Sequence, residues 1–276
     1  MERKVLGVTR LVPRLVRRAE SLPINIGEKP VRIRNLFSVV SVALLAITSQ
    51  SRGDIITQWN FNSLVPDGIA GTGTTTPSTG VGTASMIGGV IPVGGGFLNG
   101  NNSGGSSDPV VNDDSAWRTR GYPAQGTSSG TAGVRFNVST MGQENIFVSW
   151  DHLHSLISSR YSQFQYSVDG LTFSSAGLLN DGIFSAAATE TLLWANSRTV
   201  DLSAIASVAN NPNFAFQIVS IFDPTLGNAY SSPADSGYTG GEWTFDMVTV
   251  NGVVPEPSTL GLVVSVGLAL FRRRKA

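Results

Sequence analysis

The sequence predicts an all-β protein: an antiparallel two-sheet sandwich, flanked by an N-terminal signal helix and a short C-terminal transmembrane helix. Two observations carry the sandwich. Runs of four to ten residues with period-two alternation recur every 10–25 residues, and no long apolar pattern of helical period separates them. Glycine, proline, asparagine and aspartate cluster between the runs, as turns require; the chain holds 31 Gly and 13 Pro. A third observation restricts the source of stability. With no cysteine there are no disulfides and no thiolate metal sites, so a packed core must hold the fold.

The elements follow in order. Residues 1–53 form an N-terminal extension and signal peptide. Arg32-Ile33-Arg34 precedes an apolar run from Leu36 to Ile47 and a small, polar exit, Thr48-Ser49-Gln50-Ser51, which is the order of a secretory signal. Twelve helical residues span about 18 Å, short of the ~30 Å hydrocarbon core. A buried helix is the alternative, and cleavage fits best within 49–53. The arginine-rich stretch 1–30 is long for a signal, which suggests initiation at Val31 rather than Met1; N-terminal sequencing of the precursor distinguishes the two.

Residues 54–253 form the ectodomain. In 55–62, Ile55, Thr57, Trp59 and Phe61 alternate with polar partners, a first strand with Trp59 and Phe61 facing the core. Residues 68–133 hold 17 of the glycines and read as loop, with short strands at 85–93 and around Trp117, or as partly disordered chain. Strands are expected at 146–152, 161–168, 191–194, 213–222 and 242–250. Asp169-Gly170 predicts a tight hairpin turn, and Leu202–Val208 a short helix capped by Asp201 or Ser203. The five Trp, at 59, 117, 150, 194 and 243, are core residues or, for Trp117, Trp150 and Trp194 with Tyr122, sugar-stacking platforms.

Residues 254–276 form the tail: Val254, then Pro255-Glu256-Pro257-Ser258, an apolar run Leu260–Phe271, and the basic cluster Arg272, Arg273, Arg274, Lys275. The prolines fix an extended, donor-poor strip that a peptidase can grip, and the basic cluster is expected to stay cytoplasmic. In order and position the tail resembles the PEP-CTERM sorting signal. The resemblance implies export, a membrane transpeptidase of the exosortase type as partner, and an association with exopolysaccharide. A plain membrane anchor is the other reading. In Trp59-Asn60-Phe61-Asn62, Ser159-Arg160-Tyr161 with Gln165-Tyr166-Ser167-Val168-Asp169-Gly170, and Trp243-Thr244-Phe245-Asp246, the body also resembles the ectodomains often found with PEP-CTERM tails; the first and last pieces resemble the terminal strands of jelly-roll domains in carbohydrate-binding modules.

Charge narrows the function. The overall balance of 19 basic to 19 acidic residues hides a segregation. Residues 54–254 carry five arginines, no lysine and fifteen acidic residues, a net charge of about −10 that repels a phosphate backbone and excludes nucleic acid as a partner. His152 and His154 are the only histidines. They share one face of a strand while Asp151 points away, and they read as surface polar positions, as a zinc pair or as the base of a triad that lacks a Gly-x-Ser-x-Gly elbow. Asp113, Asp114, Asp151, Glu190, Glu242 and Asp246 supply carboxylates without a pairing that marks a hydrolase, and Asp113-Asp114 read as a turn cap. The jelly-roll resemblance implies a calcium ion tying the first and last strands, with Asp246 and Asn60 or Asn62 as oxygen ligands. The expected protein is thus a noncatalytic cell-surface or extracellular-matrix protein, or alternatively a carbohydrate-binding ectodomain stabilised by calcium, with a secreted glycan hydrolase third.

Overall fold

The computed structural model describes residues 53–187, 192–234 and 237–255. They form two antiparallel sheets. The strands are β1 (Asp54–Trp59), β2 (Gly82–Ile87), β3 (Ile91–Asn99), β4 (Ser115–Arg120), β5 (Gly133–Val138), β6 (Glu144–His154), β7 (Tyr161–Ser167), β8 (Ile183–Ser185), β9 (Trp194–Asp201), β10 (Ala215–Ser220) and β11 (Glu242–Val253). The first sheet runs β3-β4-β11-β6-β9, with β1 also pairing β11; the second runs β2-β5-β10-β7-β8. The first and last strands therefore lie side by side, Trp59 opposite Val248. The signal-peptide reading of 1–53 falls almost wholly outside the described residues. So do the sorting tail beyond Pro255 and its transmembrane helix; among the described residues no helix is long and apolar enough to cross a membrane.

The alternation that predicts the strands also fills the space between the sheets. Trp59, Phe136, Phe216, Phe164 and Trp150 form a continuous spine of rings. Successive centroids are 5.0, 4.9, 5.3 and 5.7 Å apart, at the spacing where aromatic pairs add to simple burial. The spine starts on β1, crosses β5, β10 and β7 and returns to the first sheet at β6, so one run of contacts staples both layers. Trp117 extends it through Phe136, Trp243 and Phe245 belong to the same core, and all three are buried.

Several expectations change. The glycine-rich stretch 68–133 carries the strand expected around Trp117, which is β4, but in place of one strand at 85–93 it holds two, β2 and β3, one in each sheet. Gly94, Gly95 and Gly96 sit in a break of β3, where the register with β4 shifts between Pro92 and Phe97 and lets an edge strand bend. The helix at 202–208 is only a 3-10 turn, Ala206–Val208; the side chain of Asp201 accepts from the Ser203 N–H, and so short a segment cannot repay helix nucleation. Asp169-Gly170 reverses the chain, but not as a two-residue hairpin. Gly170 has φ of 74° while Asp169 is absent from the positive-φ residues. Instead the Asp169 carboxylate accepts from the N–H groups of Leu171 and Thr172, a side-chain turn that won over the type I′ geometry. The strand expected at 191–194 begins only at Trp194, and residue 191 lies outside the described residues.

Candidate functional site

The outer face of the first sheet is covered by the β3–β4 loop, residues 100–114. Leu98, Ala116, Leu153 and Trp194 form a small apolar patch beneath it. Trp194 donates its indole N–H to the Asn102 carbonyl at 3.0 Å, and Asn196 donates to the Gly105 carbonyl at 3.1 Å. Asp151, pointing outward from β6, accepts from the N–H groups of Ser107 (2.5 Å) and Ser197 (2.6 Å), clamping the loop to β9.

Three carboxylates meet under this loop. Alternation along β11 turns Phe245 into the core and Asp246 outward, where the strand breaks: Met247 has φ of 48°, and the register with β6 shifts between Asp246 and Thr249. Asp114 stands one residue before β4, and Asp108 comes from the middle of the loop. One carboxylate oxygen from each lies within 4.8 Å of the other two. Asp114 and Asp246 are fully buried and Asp108 nearly so. Both oxygens of Asp114 and Oδ2 of Asp246 have no hydrogen-bond donor; Oδ1 of Asp246 accepts from the Met247 N–H at 2.7 Å. Asn62, just beyond β1, donates to Asp108 Oδ2 at 2.8 Å and accepts from the Ser115 N–H at 2.6 Å, tying the first strand's exit to the cluster.

The electrostatics are those of a site short of positive charge. Burial pushes the Asp114 carboxyl up to about 6, with the neighbouring Asp108 charge adding to it. Burial holds Asp246 well above the usual carboxylate range, against the opposing Ser106 hydroxyl and Met247 N–H. Asp108 is raised by burial and by Asp151, with Asn62 opposing. Like charges under a lid with too few donors are costly unless a proton or a cation joins them. An all-oxygen ligand set suits a hard cation, and oxygens up to 4.8 Å apart can share an ion that binds each at about 2.3–2.6 Å. Gly100 completes the enclosure: a Cβ there would sit 2.2 Å from Asp114 Oδ1.

The sequence-predicted residues distribute as follows. Asp246 belongs to the cluster. Asn62 reaches it, while the Asn60 carboxamide accepts from the Asn62 N–H at 3.4 Å. Of the pair read as a turn cap, Asp114 enters the cluster and Asp113 lies beside Asp67. Glu242 forms an ion pair with Arg118 across the face of the same sheet. His152 and His154 are not surface residues. Both are fully buried, their ring centroids 3.9 Å apart and packed against Trp243 and Phe245, because their face of β6 is the core face. His154 Nδ1 lies 3.0 Å from the Ser159 carbonyl, and burial drives both rings far below the usual imidazole range. They are not among the groups of three or more metal-ligating side chains found in the described residues. All five Trp and Tyr122 are buried, so none is a sugar-stacking platform. Pro255 is exposed beyond the end of β11; Glu256, Pro257, Ser258 and the basic cluster lie outside the described residues.

Asp108 and Asp114 were not legible as ligands in the sequence. The available signal was local: three aspartates within seven residues, in a long stretch otherwise nearly free of charge.

No family model matches this sequence, and no curated protein does. Solved structures match at low similarity. The CBM22-1 xylan-binding domain of Xyn10C from Paenibacillus barcinonensis aligns at 11% identity and a TM-score of 0.36, over 74% of this chain and 97% of its own. SGBP-B, from a complex xyloglucan utilization locus in Bacteroides uniformis, aligns at 9% identity and TM-score 0.30, over 63% and 48% respectively. The K2 cleaved adhesin domain of Lys-gingipain aligns at 10% identity and TM-score 0.29, over 71% and 98%.

Proposed function

We propose that this chain is an exported, noncatalytic β-sandwich that binds extracellular polysaccharide, is stabilised by calcium, and is sorted through its C-terminal tail. The observation that carries the reading is the enclosure of Asp108, Asp114 and Asp246 beneath the 100–114 loop. A glycosidase needs two carboxylates facing a substrate across an open cleft. Here the grouped carboxylates face one another where no sugar can enter, which supports a cation cage rather than an active site. Calcium there, held by these three groups, would supply the missing positive charge and fix the loop to the sheet. Its concentration outside cells suits a site of moderate affinity.

Binding without chemistry is the expected behaviour. The mature, calcium-loaded protein should be retained by at least one polysaccharide in a glycan panel and release no reducing ends from it on prolonged incubation. Release of reducing sugar overturns the noncatalytic reading, and absence of retention on every glycan overturns the binding reading.

The sorting reading rests on Pro255-Glu256-Pro257-Ser258, the apolar run and Arg272–Lys275. The exit of the chain from β11 into exposed Val254 and Pro255 supports access by a processing enzyme. Terminal mass spectrometry of the protein from its native cells tests it. A mature C-terminus near Pro255–Pro257 that requires the exosortase supports sorting; persistence of residues 260–276 regardless of the enzyme leaves a membrane anchor.

A further inference from the structure

We infer that the outward face of the second sheet is the polysaccharide-binding surface, and that its ligand is an uncharged glycan chain. This rests on the glycan-binding reading above and adds the place and the ligand class.

The five strands of that sheet, β2, β5, β7, β8 and β10, contain a single charged residue, Arg135, in a body whose net charge is about −10. A sheet face that only meets water is ordinarily served by charged side chains as well as by amides. This one carries Thr83, Ser85, Asn137, Gln163 and Gln165 with apolar Ile87, around a central strand whose outward Ala215, Gln217 and Val219 are buried. Arg135, Gln217 and Gln165 stand opposite one another across three adjacent strands, a row of two inter-strand steps or about 10 Å.

The row is already ordered. Arg135 donates from Nε and Nη2 to Gln217 Oε1 at 3.3 and 3.0 Å. Gln217 donates to Gln165 Oε1 at 2.6 Å, and Gln165 to Gln163 Oε1 at 2.8 Å. Gln163 in turn donates to the Asp181 carbonyl at 3.0 Å. The guanidinium lies 4.3 Å from the centroid of the Phe173 ring, a stacked cation that sets an aromatic surface beside the amides.

Two consequences follow. The chain of bonds fixes the side chains before any ligand arrives, which removes much of the ordering cost of binding. It also leaves capacity: the bonds to Gln165 use one of its two N–H groups and one of its two lone pairs, and Gln165 is half-exposed. Paired donors and acceptors beside a ring match vicinal hydroxyls beside the C–H face of a sugar. The acidic body repels an anionic chain, and the face lacks the positive cluster that would offset this.

The test is affinity electrophoresis of the calcium-loaded mature protein through gels containing xylan, xyloglucan, mixed-linkage β-glucan or mannan, with polygalacturonate and alginate as acidic comparators. Variants are Arg135→Ala, Gln165→Ala and Phe173→Ala, each checked for an unchanged Tm; Phe173 lies outside the strands, so its variant remains informative if a sheet variant misfolds. Retardation by a neutral polysaccharide, weakened tenfold or more in these variants, is the expected result. Wild-type retardation that all folded variants retain overturns this surface while leaving the glycan-binding reading intact. Retardation only by the acidic gels, abolished in Arg135→Ala, overturns the uncharged ligand class. No retardation in any gel overturns the glycan-binding reading and this inference with it.

Discussion

Asp246→Asn separates the two roles that a buried carboxylate can have. If calcium is bound by Asp108, Asp114 and Asp246, the substitution removes one anionic ligand. Without calcium it instead relieves repulsion among groups that burial already disfavours as anions. Its effect on stability should therefore change sign with calcium. Extracellular calcium modules have Kd values on the order of 10⁻⁴ to 10⁻³ M. At a calcium concentration about 100 times Kd, binding stabilises the fold by ~2.7 kcal/mol. For a body of this size that is a rise in Tm of roughly 5–11 °C, at about 2–4 °C per kcal/mol.

Thermal unfolding of wild type, Asp246→Asn and Asp114→Asn, each in EGTA and in excess calcium, measures this directly. The wild type should gain the full shift and both variants only a small part of it. In EGTA the variants should melt no lower than wild type. Asp54→Asn, at the exposed start of β1, should behave as wild type in both buffers. A wild-type Tm indifferent to calcium, or a shift of equal size in wild type and Asp246→Asn, refutes the reasoning.

Other outcomes follow from the same geometry. Gly100→Ala puts a methyl 2.2 Å from Asp114 Oδ1, so it should cut the calcium-dependent Tm shift at least as much as Asp114→Asn. Trp150→Ala, at the centre of the ring spine, should cost about 3–5 kcal/mol in denaturant unfolding. Burial keeps His152 and His154 neutral in the fold, whereas the unfolded chain takes up protons below about pH 6.5. Stability is therefore full above that pH and falls below it, by up to ~1.4 kcal/mol per pH unit for each ring. Leucine at both positions should flatten the difference between pH 7.5 and pH 5.5 in calcium-saturated urea titrations.

What the sequence disclosed and what it hid divide along a physical line. Strand existence was legible because period-two alternation is written into consecutive residues: Ile146 to Trp150, Tyr161 to Ser167 and Trp243 to Val250 each show which face is buried. The pairing of β1 with β11 and the outward turn of Asp246 follow from the same alternation and from the jelly-roll resemblance. In the β2–β4 segment the strand around Trp117 is legible, whereas the division of 82–99 into β2 and β3 is not, because these strands carry few large apolar residues and β2 takes its partner from β5, further along the chain. The two histidines were misjudged for a different reason. Alternation places them on the face of Ile146, Val148 and Trp150, which is the core face; it is the polarity of imidazole that suggests a surface, whereas the rings pack against Trp243 and Phe245, about ninety residues later.

The site shows the same limit more sharply. A metal cage is a property of three-dimensional convergence. Asp246 stands out because it alternates with Phe245 and Met247, on the opposite face and near the first strand, where the jelly-roll resemblance implies a calcium ion. Asp108 and Asp114 sit in a loop that has no such alternation. What reveals them is the conjunction of three facts no single segment contains: their burial, the want of donors at both Asp114 oxygens, and a glycine at position 100 that leaves room for the Asp114 carboxylate. The amide row on the second sheet is legible in reverse order. Its members are ordinary polar residues of alternating strands; only the register of Arg135, Gln217 and Gln165 across β5, β10 and β7 turns three separate side chains into one ordered surface. In this molecule the sealed acids lie on the outer side of the first sheet and the amide row on that of the second, so cation binding and ligand binding should separate by mutation: Asp114→Asn should leave only a small part of the calcium shift, and Gln165→Ala should leave it whole.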